Sequence, residues 1–380
     1  SLGFADPRFS YTRAFERYAL ELSKHMTIRD VAGHLSVSWD VIKEIQKRDL
    51  MKRFSRPCLK DLRRIAIDEI SIRKGHRYLT VVLDMTKGTI VYVGGGKGAD
   101  ALDSFWKKVK RAKAKIEAVL PAKAPAAAEK PRKLLIYDGN VDYGGHGSIP
   151  YANYAFMRMG EKTGAFTAEV SRDPPVFQKD HLSQFDAVCF NNTVGNLFTD
   201  PGLRQNLLDF VLSGGGLLGI HGTTAAFTDF RHGGRETWPE FGRMLGARGT
   251  AHLAPDERVF VKLDSPDHPL NRPFGGEGFE YVGEFFRVRD PYSRDRVHVL
   301  FSIDTAKTEL PPKGSKPGIE REDDDYALAW TRSHGRGRVV YSTIGHHPAD
   351  FMNPTILQFY LGAIQFVMGD LDGTTTPGNR

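Results

Sequence analysis

GLLGIHG, residues 216–222, is the stretch that decides the fold of this chain. The run up to His221 is apolar or glycine with no polar alternation, which is typical of a strand buried on both faces of a parallel sheet. Gly219 and Gly222 allow a sharp strand–turn–helix bend around His221, the local pattern of a nucleophile elbow. Histidine at that apex cannot start acyl transfer as Ser or Cys would, although it can act as a base or bind a metal.

Strands and helices alternate on both sides of this stretch. Such alternation predicts an α/β fold with a doubly wound sheet, in which ligands bind at the carboxyl ends of the strands. The predicted strands are 133–139, 166–172, 186–192, 216–222, 258–263, 279–288, 296–303, 326–333 and 338–345, and the predicted helices are 151–162, 201–216 and 354–368.

The first third of the chain has a different pattern. Residues 26–50 predict two helices around a turn at Leu35–Ser38, and the second carries the basic stretch Lys43–Arg48. This is typical of a DNA-binding helix-turn-helix, although an ordinary helical hairpin fits the spacing equally well. Three strands at 63–72, 77–86 and 88–96 and a basic amphipathic helix at 99–119 are predicted to follow.

The Ala/Pro/Lys-rich segment LPAKAPAAAEKPR, residues 120–132, separates the two patterns and predicts a semi-rigid tether. Its composition resembles the stretch that follows a cleaved signal peptide, so we expect the part after it to derive from an exported protein. The predicted divisions are a helix-turn-helix segment at 1–60, a strand-rich segment at 61–119, the linker at 120–132 and the main domain at 133–370.

Charge is distributed unevenly over the 380 residues. Residues 1–120 carry 25 Lys+Arg and 14 Asp+Glu, a net +11, whereas 121–380 carry 28 and 32, a net −4. A polyanionic partner is therefore expected for the first part alone. No stretch approaches 18 apolar residues and the start lacks the pattern of a signal peptide, so we expect a cytoplasmic chain with no membrane partner. No pattern indicates an oligomeric state.

Residues 65–106, IAIDEISIRKGHRYLTVVLDMTKGTIVYVGGGKGADALDSFW, resemble the start of the catalytic domain of a family of DDE-type insertion-sequence transposases. The resemblance implies a helix-turn-helix followed by an RNase H-like domain, and it places Asp68 at the first catalytic carboxylate. The chain departs from the family after Val119, where no second catalytic Asp follows. Two-metal phosphodiester chemistry needs several carboxylates, so Asp68 is expected to be vestigial and transposase activity absent. Weak DNA binding by 1–119 remains an expectation from charge.

A second resemblance covers about 133–370 and combines several motifs. It implies the ThuA-like family, associated with trehalose utilisation, with a flavodoxin-like fold related to class I glutamine amidotransferases. His221 stands where those enzymes have their nucleophilic Cys, so amidotransferase activity is not expected. The family implies a sugar or keto-sugar substrate class. The motifs are FDAVCFNNTVG (185–195), LLGIHGTTAAF (217–227), WPEFGRMLGARGTAH (238–252), DHPL (267–270), VHVLFSID (297–304) and GRVVYSTIGHHPADFMNPT (337–355).

The candidate site consists of residues that follow predicted strands or match these motifs. We expect catalytic roles for His221, His146, Glu284 and Asp229. His221, His252 and His346 are candidate ligands of a divalent, zinc-type metal, since three His and a carboxylate suit such a site. The same groups would equally serve metal-free acid–base chemistry on a sugar.

Substrate contacts are expected from Gly222, Trp238 and Tyr281. The two aromatic residues would form a stacking wall for a sugar, although core packing explains aromatic residues equally well.

Three functions remain open on the sequence. The favoured one is an enzyme or binding domain for a carbohydrate-derived small molecule in 133–370. The alternatives are a transposase-derived DNA-binding protein carrying a passenger domain, and a non-catalytic sugar sensor.

Overall fold

The structure, a computed structural model, describes residues 11–378 except 55–56, 64, 74–76, 85–86, 97–98, 114–119, 231–233, 250 and 312–316. The chain divides into two compact units, residues 1–117 and 118–380. No helix of the described part is long and apolar enough to cross a membrane.

The N-terminal unit begins with three helices, α1 (Arg13–Leu22), α2 (Ile28–His34) and α3 (Trp39–Phe54). Thr12 and Thr27 cap the first two helices, since their hydroxyls accept hydrogen bonds from the backbone N–H groups of Phe15 and Asp30. The predicted pair of helices is therefore confirmed, and α3 runs four residues beyond the predicted end. A small apolar core holds the three helices together and consists of Ala19, Val31, Ala32, Ile42 and Ile45.

A three-stranded antiparallel sheet follows, with β1 (Ile65–Arg73), β2 (Arg77–Asp84) and β3 (Thr89–Gly95) in that order. Helix α4 (Asp103–Ala112) packs Phe105 and Val109 against this sheet. It is shorter than the predicted 99–119, because a 3₁₀ turn occupies Ala99–Leu102, and 114–119 lie outside the described residues. Asp68 lies in β1 opposite Val81, and its side chain is outside the described part.

The segment 120–132 packs on the C-terminal unit and is not a free tether. The backbone N–H of Ala126 donates to Gln365 Oε1 at 3.1 Å, and Gln365 Nε2 donates back to the Ala126 carbonyl at 2.7 Å. Arg132 Nε donates to Asp370 Oδ1 at 2.9 Å, while its Nη1 donates to Asp186 Oδ1 at 3.1 Å. The composition predicted a tether because alanine and proline have no polar side chain. The contacts that hold the segment come instead from its backbone at Ala126 and from the side chain of Arg132.

The C-terminal unit alternates strands and helices and then becomes strand-rich. Its elements are β4 (Lys133–Tyr137), α5 (Ile149–Thr163), β5 (Thr167–Ser171), α6 (Lys179–Leu182), β6 (Ala187–Asn191), α7 (Pro201–Leu212), β7 (Gly216–Ile220), β8 (Thr228–Asp229), β9 (Arg235–Glu236), α8 (Pro239–Leu245), β10 (Arg248–Gly249), β11 (Glu257–Leu263), β12 (Phe279–Gly283), β13 (Val288–Arg289), β14 (His298–Ile303), β15 (Ala327–His334), β16 (Gly337–Ser342) and α9 (Pro354–Met368).

Nine of these strands form one mixed sheet in the order β12-β11-β14-β15-β16-β7-β6-β4-β5. The five strands from β16 to β5 are parallel, which confirms the predicted doubly wound architecture, and the other four are antiparallel. The carboxyl ends of β4, β6, β7 and β16 consequently meet at one edge of the sheet. The predicted strand 279–288 is interrupted, because β12 ends at Gly283 and the short β13 begins at Val288.

Apolar residues cover both faces of this sheet. In β4, Leu134 and Ile136 face a core with α5 and α9, whereas Leu135 and Tyr137 face a second core with α7 and α8. Strand β7 is buried along its whole length, as the sequence predicted. In the central parallel strands β4, β6 and β7 the fully buried side chains are apolar until the strand ends, where polar side chains follow.

Candidate active site

His221 stands directly at the carboxyl end of β7 and opens a 3₁₀ turn, His221–Ala225. Its side chain is fully buried and its backbone has φ +44°, a left-handed conformation that costs a β-carbon-bearing residue about 1 kcal/mol or more. A β-carbon added to Gly222 would lie 3.0 Å from His146 Cε1 and 3.1 Å from Val194 Cγ2. The strained turn therefore aims His221 inward, and Gly222 leaves room for a second histidine.

Three further side chains converge on His221 from separate elements. His146 lies in the Gly-rich corner between β4 and α5, His346 follows β16, and Glu284 follows β12. One ligand atom from each of these four residues can be chosen so that all lie within 4.8 Å of one another. The ring centroids of His146 and His221 are 4.8 Å apart, and those of His221 and His346 are 5.1 Å apart. We call this group the His/Glu cluster.

The orientation of His221 is fixed by a backbone carbonyl. Its Nδ1 lies 2.9 Å from the Thr343 carbonyl oxygen, which can only accept, so Nδ1 carries a proton and donates. In the neutral ring Nε2 is then an acceptor, yet it faces Glu284 Oε1 at 3.3 Å with no hydrogen-bond partner among the described residues. Two acceptors at that distance repel unless a proton or a cation lies between them.

His252 positions the carboxylate of Glu284. Its Nδ1 is 3.0 Å from Glu284 Oε2, and the His346 Nε2 is 3.8 Å from the same oxygen. Burial raises the pKa of Glu284, but the neighbouring imidazoles of His221 and His252 outweigh that effect and lower it well below its usual value. Glu284 is therefore a carboxylate at neutral pH.

The two other histidines of the cluster are held neutral. Burial, and then the proximity of His221 and His346, lowers the pKa of His146 to about 3. Burial and His221 lower the pKa of His346 to about 4. A buried Nδ1 has no hydrogen-bond partner within the described residues in either ring. Neutral imidazoles with unsatisfied nitrogens are the form in which histidine binds metals or accepts a proton.

Hydrogen bonds fasten the loops that carry the cluster to one another. The Gly345 carbonyl, next to His346, accepts from Ser148 Oγ at 2.7 Å and from Asn192 Nδ2 at 3.3 Å. Ser148 lies beside the corner of His146, and Asn192 follows β6. The site is consequently assembled on strand ends held in register.

Several predicted residues are placed elsewhere. Asp229 lies in the β8–β9 hairpin, where its Oδ2 is 3.8 Å from an Arg235 nitrogen, and it is not part of the His/Glu cluster. Trp238 is buried in the core against Phe227 and Phe241, so it forms no wall for a sugar. Burial explains this correction, because an aromatic pattern in sequence does not distinguish a core from a binding surface.

Tyr281 likewise forms contacts within the fold and is not free to stack on a sugar. Its hydroxyl donates to Asp350 Oδ1 at 2.5 Å and its ring contacts Phe285. Desolvation, and then Asp350, raises the pKa of Tyr281 well above its usual value.

Other aromatic side chains surround the cluster. Tyr143 has its ring centroid 5.1 Å from that of His146, and Phe286 is 5.1 Å from His221 and 5.3 Å from His252. The sequence predicted none of these contacts. Tyr143 directly precedes the GGHG corner, and this position is a signal in the sequence for a contact with His146. The Thr343 carbonyl that orients His221 leaves no such signal, because it belongs to the backbone.

The donor set of the cluster fits a divalent metal. Three imidazole nitrogens and one carboxylate oxygen are ligands that zinc and similar ions prefer. Ligand atoms around tetrahedral zinc lie roughly 3.5 Å apart. The four ligand atoms of the cluster are separated by up to 4.8 Å, so the side chains would move slightly towards one another to bind the ion. His252 would then hold the Glu284 ligand from outside, as is usual for partners of metal ligands.

Comparison with protein families gives three matches along the chain. Residues 133–367 match the ThuA family, described as trehalose utilisation. Residues 1–49 match the helix-turn-helix domain of transposase family ISL3, and residues 65–121 match a transposase model of the same family.

The curated relatives of this chain include transposases of insertion sequences. The chain is 26% identical over 137 residues to the transposase for insertion sequence element IS1001 of Bordetella parapertussis, covering 34% of each protein. It is 34% identical over 99 residues to the IS1557 transposase of Mycobacterium tuberculosis (strain CDC 1551 / Oshkosh), covering 25% of this chain and 22% of that one. The chain thus spans 34% or less of the length of these curated relatives.

Two solved structures are also similar to this chain. A ThuA-like protein from Bacteroides uniformis ATCC 8492 is 21% identical, with a TM-score of 0.49, over 64% of this chain and 94% of its own. A ThuA-like protein from Parabacteroides merdae ATCC 43184 is 18% identical, with a TM-score of 0.46, over 66% of this chain and 98% of its own.

Proposed function

This chain belongs to the ThuA (trehalose utilisation) family through residues 133–367, and from that membership we propose that its His/Glu cluster is the active site of an enzyme for a carbohydrate-derived small molecule. The proposal includes a divalent, zinc-type metal bound by His146, His221, Glu284 and His346. The N-terminal transposase-like segment takes no part in this chemistry.

One observation carries the proposal. His221 Nε2 and Glu284 Oε1 face each other at 3.3 Å while His221 Nδ1 already donates to the Thr343 carbonyl. A bound cation would satisfy both acceptors at once, and one ring nitrogen each from His146 and His346 would complete its ligands.

Each residue has a definite task in this proposal. The Thr343 carbonyl holds the tautomer of His221, and His252 holds Glu284 in place. Burial keeps the imidazoles of His146 and His346 neutral. Neither side chain therefore needs to lose a proton before it binds the ion. A metal at such a site polarises a carbonyl or hydroxyl oxygen of a ligand. In a metal-free version, a proton shared by His221 and Glu284 would serve acid–base chemistry on the sugar.

Acyl transfer by a nucleophilic cysteine is not supported. The residue after β7 is His221, and Cys189 lies inside the buried strand β6, where desolvation raises the pKa of its thiol. Cys58, the other cysteine, lies in the N-terminal unit.

Elemental analysis tests the metal centre directly. The full chain, incubated with zinc and dialysed, is expected to retain about one ion per chain. His346→Gln and His146→Gln should each weaken zinc affinity by at least about tenfold, since each removes a ligand. The measurement is metal content by mass spectrometry over a series of free zinc concentrations.

His181→Gln is the matched control, because His181 is an exposed histidine that pairs with Glu169 at 3.7 Å outside the cluster. Wild-type protein that retains no zinc would contradict the metal centre and favour metal-free acid–base chemistry at the cluster. Equal loss of zinc in the control would show that the bound ion is elsewhere.

A sugar that binds to the chain without being converted would indicate a sugar sensor and not an enzyme.

We also propose that the N-terminal unit retains non-specific DNA binding. The helix-turn-helix match and the charge of +11 over residues 1–120 favour this function. Helix α3 follows the turn and carries Lys43, Lys47 and Lys52, which neutralise phosphates if the helix lies against a duplex.

A gel shift of the full chain on a duplex of random sequence tests DNA binding. Binding is expected to weaken steeply between about 50 and 200 mM salt, and replacing the three α3 lysines by alanine should reduce the salt slope by about 3. Replacing Lys179, Lys262 and Lys307 of the C-terminal unit is the control. Equal weakening in the control, or binding that ignores salt, would contradict the proposal. No Mg-dependent nicking of supercoiled plasmid is expected, and nicking lost in Asp68→Ala would overturn that expectation.

A further inference from the structure

Two aromatic rings extend the His/Glu cluster towards the surface. The Tyr143 ring lies 5.1 Å from His146 on one side and 5.3 Å from Phe230 on the other. Phe230 follows β8 and keeps 44% of its surface exposed. The three rings therefore form a continuous path from the buried imidazoles to the outside.

The loop that carries Tyr143 is fixed by its backbone. The N–H of Val141 donates to the Val194 carbonyl at 3.0 Å, and the N–H of Val194 donates to Asn140 Oδ1 at 2.9 Å. Asp142 has φ +58°, which turns the chain immediately before Tyr143. Because these contacts hold the loop to the end of β6, the tyrosine is placed without help from its own hydroxyl.

The hydroxyl of Tyr143 has no hydrogen-bond partner among the described residues, although the ring is half-buried. A hydroxyl that makes no hydrogen bond within the described part of the fold is available to a ligand as donor or acceptor. Two other tyrosines near the site use their hydroxyls within the fold. Tyr341 donates to the His221 carbonyl at 2.8 Å, and Tyr281 donates to Asp350.

We propose that Tyr143 and Phe230 form the wall on which a sugar ring stacks, with the Tyr143 hydroxyl binding one of its hydroxyl groups. The inference rests on the proposed function, and it names the ligand as a cyclic polyol. Such a ring has an apolar C–H face, which aromatic rings cover, and a rim of hydroxyls. The hydroxyl edge would then lie towards His146 and Glu284. Phe286 covers His221 and His252 on another side of the cluster.

The wall replaces the one that Trp238 and Tyr281 were expected to form. Trp238 is buried in one core of the sheet and the partly buried Tyr281 packs against the other, whereas Tyr143 and Phe230 link the cluster to solvent. Tyr143 is a positioning residue in this proposal, because its role is to hold the ligand against the cluster.

Saturation-transfer NMR titrations with trehalose and D-glucose test the wall on the full, zinc-loaded chain. Tyr143→Phe removes one oxygen and is expected to weaken sugar binding about three- to tenfold, the effect of one lost hydrogen bond. Phe230→Leu keeps an apolar side chain but removes the ring, with a loss of similar size. Zinc stoichiometry should be unchanged in both variants.

Tyr154→Phe and Tyr154→Leu are the matched controls, since Tyr154 is an exposed ring on α5 that retains 66% of its surface. Unchanged sugar affinity in Tyr143→Phe and Phe230→Leu would overturn the wall and leave the metal centre standing. A wild type that holds zinc but binds neither sugar at millimolar concentration would overturn the wall and its ligand class. A wild type that binds neither zinc nor sugar would overturn the proposed function itself.

Discussion

At the scale of the residue, the site depends on one backbone carbonyl. The Thr343 carbonyl accepts from His221 Nδ1, and this single contact decides that Nε2 faces Glu284 as an acceptor. Gly222, which follows His221, lacks a side chain and so leaves the space that His146 occupies. The geometry of the cluster therefore depends on a backbone carbonyl and on a glycine, neither of which acts through a side chain.

The neutral state of His146 makes stability depend on pH. In the folded chain its pKa is lowered to about 3, whereas the unfolded chain takes up a proton near pH 6.5. Between those values the unfolded state binds more protons, so stability falls as pH drops below about 6.5. We expect the metal-free wild type to lose about 1–2 kcal/mol more between pH 7 and pH 5 than His146→Gln, whose side chain cannot be protonated.

Urea unfolding at pH 7, 6 and 5 in the presence of a chelator measures this difference. His181→Gln serves as the control and should follow the wild type, because its side chain is exposed and lies outside the cluster. An identical pH dependence in wild type and His146→Gln would show that His146 is not held neutral by the fold.

At the scale of the element, the segment 120–132 is part of the C-terminal unit. Its backbone exchanges two hydrogen bonds with Gln365 of α9, and Arg132 joins Asp370 and Asp186. The Asp370 side chain is fully buried, so its charge needs the guanidinium. Arg132 and Asp186 directly precede β4 and β6, so this contact lies at the amino ends of these two strands, whereas the cluster lies at the carboxyl ends.

Removing the guanidinium should destabilise this unit strongly. Arg132→Leu leaves Asp370 as a buried, uncompensated charge, and a loss of about 3 kcal/mol in the free energy of unfolding is expected. Lys130→Ala is the control, because Lys130 is 62% exposed and its pair with Asp186 should contribute less than about 1 kcal/mol. The measurement is the midpoint of urea unfolding. Equal effects of the two substitutions would mean that the segment is held by its backbone alone.

At the scale of the whole molecule, the chain combines two units with different composition. The basic excess belongs to the transposase-like part, whereas residues 134–380 carry 24 Lys+Arg and 31 Asp+Glu, a net −7. The positive overall charge therefore describes neither unit. An acidic domain repels nucleic acid, which agrees with a small-molecule ligand for the His/Glu cluster and DNA for the first unit alone.

The sequence predicted much of the fold because burial on both faces of a parallel strand leaves a clear pattern. The apolar run 216–220 became β7, and the strand-helix alternation became the parallel half of the sheet. The predicted strand 279–288 was too long, because apolar Phe285 and Phe286 continue the pattern while the backbone leaves the sheet at Glu284. That break is what frees Glu284 to reach the histidines.

The sequence by itself determined the two-part organisation, the parallel sheet and the candidate histidines at the strand ends, because local composition and periodicity encode them. The tertiary structure decided which candidates meet: His146, His221, Glu284 and His346 converge, whereas Asp229 and Trp238 lie elsewhere. The physical reason is that residues up to 200 positions apart are joined by strand order and by backbone contacts such as that of Thr343. Neither leaves a trace in the spacing of side chains along the chain.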